Sequence, residues 1–347
     1  MKKLIALMIS AIMASSLTAC GGGTAAKTGE TDSVSETEQS TTSSGDKMVL
    51  KLGHSVTDED CFGIWALKFK EEIENATNGR ITVDIYGNCV LGGELDMLSS
   101  VMTNSLDIMV GSISVASNYI PEMAVFDMPY LFSDVDAVYA TMDGEIGDKV
   151  AAYFEGTGGT LIGNCEVGWR HSCNSKRPIY TPEDFKGIKM RTLQSPVQMA
   201  AYEAMGAIAT PMSWNEVYTA LQQKTVDGVE NSASIIYTNA IYEVQKYMSL
   251  DYHQYGMGMC VMSTETLDSL SDEDKKIVYD ASKIATDYER KWSQDSDADY
   301  QEKLKAAGME INECDLDKFR EATKVVYDKY GEEVGYDLIT LLQTNNK

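Results

Sequence analysis

The chain has 347 residues, 44% of them hydrophobic, and a formal net charge of −24 at pH 7. That length suits roughly two globular domains, and the acidic balance argues against a nucleic-acid ligand, which requires a basic face. Six cysteines follow Cys20 without one Cys-x-x-Cys pair, and no Gly-x-Ser-x-Gly, His-Glu-x-x-His or phosphate-cradling glycine loop occurs, so zinc, hydrolase and nucleotide chemistry have no motif to rest on.

Lys2 and Lys3 precede an apolar run from Leu4 to about Ala14, followed by Leu17-Thr18-Ala19-Cys20 and three glycines. A positive start, a short apolar core and a small-residue end make residues 1–19 a secretory signal peptide, too short to span a bilayer. The Leu-x-Ala-Cys ending resembles a bacterial lipoprotein box, which implies cleavage before Cys20 and a lipid anchor on its thiol. Residues 20–47 are rich in Gly, Ser, Thr, Glu and Asp and hold no aromatic group. Such a segment cannot bury enough apolar area to offset its ordering entropy, so it reads as a flexible tether, with the folded body starting near Met48. Export permits disulfides; Cys165–Cys173 is the pair to test first, with buried free thiols as the simpler reading.

Val49 to His54 reads as a strand and the start of a loop. Phe62, Trp65, Ala66, Phe69 and Ile73 then form a helical stripe that Asn78-Gly79 ends. Ile81, Val83 and Ile85 alternate with polar residues as a second strand. Gly92-Gly93-Glu94 opens a helix, and Leu106 to Val110 is a third strand. This β-α-β-α-β order predicts a parallel sheet covered by helices, an α/β fold. A second unit starts near Gly168. Thr181-Pro182-Glu183-Asp184 has the chemistry of a helix start. Ile188 to Leu193 is a strand carrying Arg191, and Gln198 to Met205 is a helix closed by Gly206. Ser213-Trp214-Asn215-Glu216 is a Ser-x-x-Glu capping box, and Val226 to Glu230 is a strand with Asn231 at its carboxyl end. Ligands of open α/β sheets bind beyond such strand ends, which places Arg191 and Asn231 in the binding zone. Ser271 to Asp274 caps a helical pattern running to about Ala307; at the standard rise it reaches about 50 Å, more than one small domain.

From Arg170 to Arg191 the chain carries six cationic side chains against only Glu183 and Asp184. A basic island in an acidic protein fits a small anion, because arginine presents a rigid fork of donors to a carboxylate. Lys176, Arg177, Lys186 and Lys189 flank turns and helix starts, where water solvates them. Arg191 sits among Ile188, Met190 and Leu193, so it needs a partner or costs several kcal/mol to bury; that partner is an internal acid or a ligand carboxylate. Arg170 is comparable. Trp214 packs either in the core or on a ligand face, and His54, at a strand end, is a further candidate contact. Asp295, Asp297 and Asp299 lack the glycine and glutamate of a calcium loop, with Tyr300 and Ala306 in those places.

Gly168-Trp169-Arg170-His171, the run from Thr181 to Pro196, and the segments MGAIATPMSWNEVYTALQQKTVDGVEN and YEVQKYMSLDYH resemble the DctP-like solute receptors of tripartite ATP-independent periplasmic (TRAP) transporters. FDMPYLF and LGGE, earlier in the chain, also fit, and the resemblance covers about residues 48–330. It implies a periplasmic-binding-protein-like two-lobe clamshell with a long helix across both lobes. Lobe I would comprise 48–167 plus 256–294, and lobe II 168–255 plus 295–347. It further implies that Arg191 pairs with a substrate carboxylate, that Asn231 supports the same group, and that Arg170 makes a second anion contact. Gln194, Trp214, His54 and Glu94 complete the ligand set. Gly111-Ser112-Ile113-Ser114 lacks the charged pair of sialic-acid receptors, and Cys89 stands where Ser, Gly or Gln is common. With the long tether, a lipid anchor also suggests a single-membrane bacterium.

The expected cargo is a small organic acid anion: a sugar acid such as a hexuronate first, a C4-dicarboxylate or a 2-oxo or hydroxy acid second. The expected partners are the TRAP membrane permease subunits, with a monomeric receptor held on the outer face of the cell membrane or in the periplasm. No catalytic residue, cofactor or metal is expected. Two readings outside the family remain: a secreted uronate-acting enzyme with His54 or His171 as general base, and a sensor ectodomain that binds a protein partner.

Overall fold

The computed structural model of the chain describes residues 47–344. The expected signal peptide, Cys20 and the tether up to Asp46 lie outside the described residues. The first unit is β1 (Met48–His54), α1 (Cys61–Ala76), β2 (Ile81–Tyr86), α2 (Glu94–Met102) and β3 (Ile108–Ser112), with β1 parallel to both β2 and β3. The apolar stripe read from the sequence is the buried face of α1. Asn78 (φ 50°) and Gly79 (φ 73°) end that helix in left-handed backbone. Then come α3 (Val135–Met142), α4 (Glu145–Ala152), β4 (Gly159–Asn174), β5 (Lys189–Thr192), α5 (Pro196–Ala204), β6 (Ile208–Pro211), α6 (Trp214–Gln222), β7 (Gly228–Asn231) and α7 (Ala233–Thr238). The chain finishes with β8 (Tyr247–Ser263), α8 (Thr264–Ser269), α9 (Asp272–Ala306), β9 (Glu310–Glu313), α10 (Leu316–Val334) and α11 (Tyr336–Thr344).

The strands form one sheet in the order β2-β1-β3-β8-β4-β7-β5-β6, with β9 on β8. Two long antiparallel strands, β4 and β8 with 16 and 17 residues, join the two parallel portions. Gly168, near which the sequence reading starts a second unit, lies within β4, so the strand runs on through that position. It sits at a register shift after Glu166, has φ 85°, and pairs with Gly256 of β8. A Cβ on Gly256 would come within 2.8 Å of the Val167 side chain, so this crossing of the two strands requires the missing side chain. Helix α9 has 35 residues, as the spacing predicted, and Ser271 caps it by accepting from the Asp274 amide.

Three local expectations are corrected. Thr181 to Asp184 forms a reciprocal capping box, but on a single 3₁₀ turn (Pro182–Phe185), because Gly187 at φ 79° redirects the chain into β5. Ser213 is the N-cap of α6 without a side-chain capping bond; its Oγ lies against Gly93, where a Cβ would be 2.3 Å away. Cys165 and Cys173 cannot pair, since eight residues along one strand separate them by about 26 Å. All six cysteines among the described residues are free, and the Cys165 thiol neighbours Cys260 on the adjacent strand.

The junction of α1 and α9 carries much of the first unit's core. Trp65 is fully buried, stacks on Phe69 at 4.8 Å between centroids, and donates from Nε1 to Thr286 Oγ1 at 3.2 Å. Trp65→Ala should destabilise the protein by about 3–5 kcal/mol, the usual cost of emptying an aromatic core site; urea unfolding measures it, and a shift under 1 kcal/mol would contradict this packing account.

Candidate functional site

The strand order β8-β4-β7-β5 brings residues from four distant segments to one place. In register, Arg170 lies opposite Gln254, Ser172 opposite Glu230, His171 opposite Asn231, and Arg191 beside Val229. Glu230 is the centre of the resulting cluster and is fully buried. Arg170 donates to it from Nε and from Nη2 (2.8 Å to Oε1). His253 Nε2 lies 3.5 Å from its Oε2, while His253 Nδ1 is 3.1 Å from Asp251 Oδ1. Ser172 Oγ donates to the other Asp251 oxygen at 2.5 Å. Burial opposes ionisation of Glu230, but Arg170 and His253 outweigh it and hold the carboxyl down at about 2. Burial likewise opposes the charge on His253, and Asp251 and Glu230 overcome it, lifting the imidazole to about 9.

Arg191 is the member left short. Its Nε and Nη2 both donate to the Met212 carbonyl, at 2.9 and 2.7 Å. Its Nη1 lies 3.7 Å from Glu230 Oε1, beyond hydrogen-bond reach, and is a buried donor without a partner. The guanidinium carbon sits 5.4 Å from the centre of the Trp214 ring. Burial lowers the Arg191 pKa to about 10, only partly offset by Glu230. A guanidinium so depressed is under-compensated: its cationic form has lost more solvation than its neighbours return.

The other sequence candidates distribute unevenly. Arg170, bound to Glu230 through Nε and Nη2, makes no hydrogen bond from Nη1 among the described residues. Asn231 accepts from the Ser232 amide at 3.0 Å, and its Nδ2 has no partner among the described residues. Gln194 is half-buried and engaged only through its carbonyl, which accepts from Asn118 Nδ2 at 2.9 Å. Glu94 accepts from Ser55 Oγ and from the Ser112 amide (3.0 Å), and lies close enough to Arg191 to act on its charge. His54 is buried, with Nε2 3.2 Å from Asp58 Oδ1 but no hydrogen bond at either ring nitrogen; burial lowers its pKa. His171 is also buried with both nitrogens unpartnered, and burial takes its pKa down to about 4.

Beside this cluster a cavity of about 180 Å³ is lined by Ser55, Asn88 and Cys89 on one side and by Trp214, Asn215 and Tyr218 on the other. Of the seven ligand candidates only Trp214 lines it. The two walls touch: Gly93 packs on Ser213, and Asp60, the N-cap of α1, accepts from the hydroxyls of Ser234 (3.1 Å) and Thr238. The sequence reading missed Glu230, Asp251 and His253. Their signal was there, since Asp251 and His253 alternate on one strand face and Glu230 immediately precedes Asn231.

Because the folded His253 pKa lies above its free value, its ion pairs stabilise the fold fully below pH about 6.5, and that contribution disappears as pH rises through about 9. The wild type should lose about 2–3 kcal/mol across this window, and His253→Gln should lose distinctly less. Urea unfolding as a function of pH reads this directly, and equal slopes for the two proteins would refute a charged His253.

Residues 52–333 match the family model for bacterial extracellular solute-binding proteins, family 7 (DctP). The 2,3-diketo-L-gulonate-binding periplasmic protein YiaO of Escherichia coli K12 is 32% identical over 285 residues, 82% of this chain and 85% of that protein. Among solved structures, a TRAP periplasmic solute-binding protein from Polaromonas sp. JS666 bound to D-erythronate has a TM-score of 0.84 at 34% identity, covering 86% of this chain and 98% of that one. The sugar-acid-binding protein DctPAm of Advenella mimigardefordensis in complex with galactonate has a TM-score of 0.85 at 28% identity, covering 87% and 98%. These relatives are two-lobe receptors and not enzymes, and the family works outside the cytoplasm. The chain belongs to the family-7 extracellular solute-binding proteins, the DctP-type receptors of TRAP transporters.

Proposed function

We propose that this receptor captures a monocarboxylic sugar acid through Arg191 and passes it to a TRAP membrane permease. The observation that carries the reading is the buried, unpartnered Nη1 of Arg191. Buried donors almost always find a partner, and a ligand carboxylate would supply this one while restoring the charge balance that Glu230 provides only in part. Asn231 Nδ2 and Arg170 Nη1 are the available donors to the same carboxylate. Trp214 packs the ligand face, Gln194 supports it, and Glu94 and His54 meet its far end.

Glu94 favours a hydroxylated chain over a second carboxylate. Its carboxylate is well placed to accept from hydroxyls, whereas a C4-dicarboxylate would bring like charge against it. The sugar acids bound by the relatives, erythronate, galactonate and diketogulonate, agree with that preference. The lobes in this reading are 48–167 with 256–294 and 168–255 with 295–347. They would hinge at the Gly168–Gly256 pair, where paired glycines and a register shift leave the long strands least braced. The tether and a lipid on Cys20 would hold a monomeric receptor at the outer face of the membrane; no helix among the described residues is long and apolar enough to cross it.

Calorimetry with galactonate tests the assignment. Arg191→Ala should weaken binding by about 2–5 kcal/mol, because the carboxylate would be buried unpaired; an affinity within about threefold of wild type, under 1 kcal/mol, would sink it. Glu94→Gln should shift preference toward succinate by about tenfold or more relative to galactonate, the effect of removing one like-charge contact. An unchanged ratio would restore the dicarboxylate reading.

A further inference from the structure

The cavity beside the cluster is not the place where Arg191 would hold a carboxylate. Arg191 does not line it, whereas Cys89 and Trp214 lie near the guanidinium and also line the cavity, so the two places adjoin. Its walls have a different chemistry. No Lys, Arg, Asp or Glu lines it, so nothing there recognises charge. Asn88 and Asn215, both exposed, line it, and neither side chain makes a hydrogen bond among the described residues. Each carboxamide offers a donor and an acceptor side by side, the pattern that matches neighbouring hydroxyls. Trp214 and Tyr218 add aromatic surface, and both are fixed in place: Trp214 Nε1 donates to Asn239 Oδ1 at 3.3 Å, and Tyr218 donates to Glu243 at 2.8 Å.

The loop that presents Asn88 is held in costly backbone. Asn88 (φ 55°) and Cys89 (φ 56°) are consecutive non-glycine residues in the left-handed region, a conformation that persists only where the surroundings impose it. Here the Asn88 and Cys89 amides are pinned to the Val56 and His54 carbonyls at 2.9 and 3.1 Å. The cavity has a volume of about 180 Å³.

We propose that this cavity is a second, uncharged sugar subsite, so that the preferred cargo is a disaccharide acid. Its carboxylate-bearing unit sits at Arg191, and a neutral sugar unit lies between Asn88 and Asn215 against Trp214 and Tyr218. This rests on the Arg191 reading and extends it to the size of the ligand.

The test compares gluconate with lactobionate, which is gluconate carrying a neutral galactosyl unit, by calorimetry on the full processed protein. Lactobionate should bind about tenfold tighter, the yield expected of two neutral hydrogen bonds and an aromatic contact. In the Asn88→Gly, Asn215→Ala double variant that advantage should disappear; glycine at position 88 keeps the left-handed backbone. Equal or weaker binding of lactobionate by the wild type, or an advantage that survives in the variant, would overturn the second subsite. If neither acid binds and Arg191→Ala changes nothing for galactonate, the receptor reading itself fails and takes the subsite with it.

Discussion

Glu230 is one carboxylate shared by three cations, and the rest of the site follows from how it divides them. Arg170 takes it bidentately, His253 leans on it from β8, and Arg191 is left at 3.7 Å with one donor unmet. The division is set by strand register, since β4 and β8 deliver Arg170 and His253 to the carboxylate while Arg191 arrives from β5 and is steered onto the Met212 carbonyl. Full neutralisation would make a more stable core. Leaving one guanidinium under-compensated costs stability, and in the reading proposed above an incoming carboxylate would meet the open donor.

The fold gives the cluster a sheet as its base and few connections around it. The base is a continuous sheet in which each charged residue is buried and held by neighbours on both sides. The two parallel portions of the sheet are joined by few elements, of which β4, β8 and α9 are the long ones. A glycine pair and a register shift lie in the strands at that crossing. Asp60, buried and accepting two hydroxyls from α7, ties the start of α1 to α7. Burial raises its pKa despite those bonds, consistent with a contact made of hydroxyls and no cation.

Periodicity and caps in the sequence were enough to define the parallel β-α-β unit, the stripe of α1 and the full 35-residue extent of α9, because each depends on residues within one or two turns of each other. The basic island likewise marked Arg191 as a side chain in need of an explanation. What stayed hidden depends on partners far apart in the chain. The Ser213 box failed because Gly93, 120 positions earlier, lies against its hydroxyl, and the Cys165 thiol found Cys260 because two strands run antiparallel. Arg170 and Arg191 look alike as sequence. Only the tertiary structure decided that one would be paired and the other left with an unmet donor, because a buried charge is priced by the groups that surround it in space and not by its neighbours along the chain.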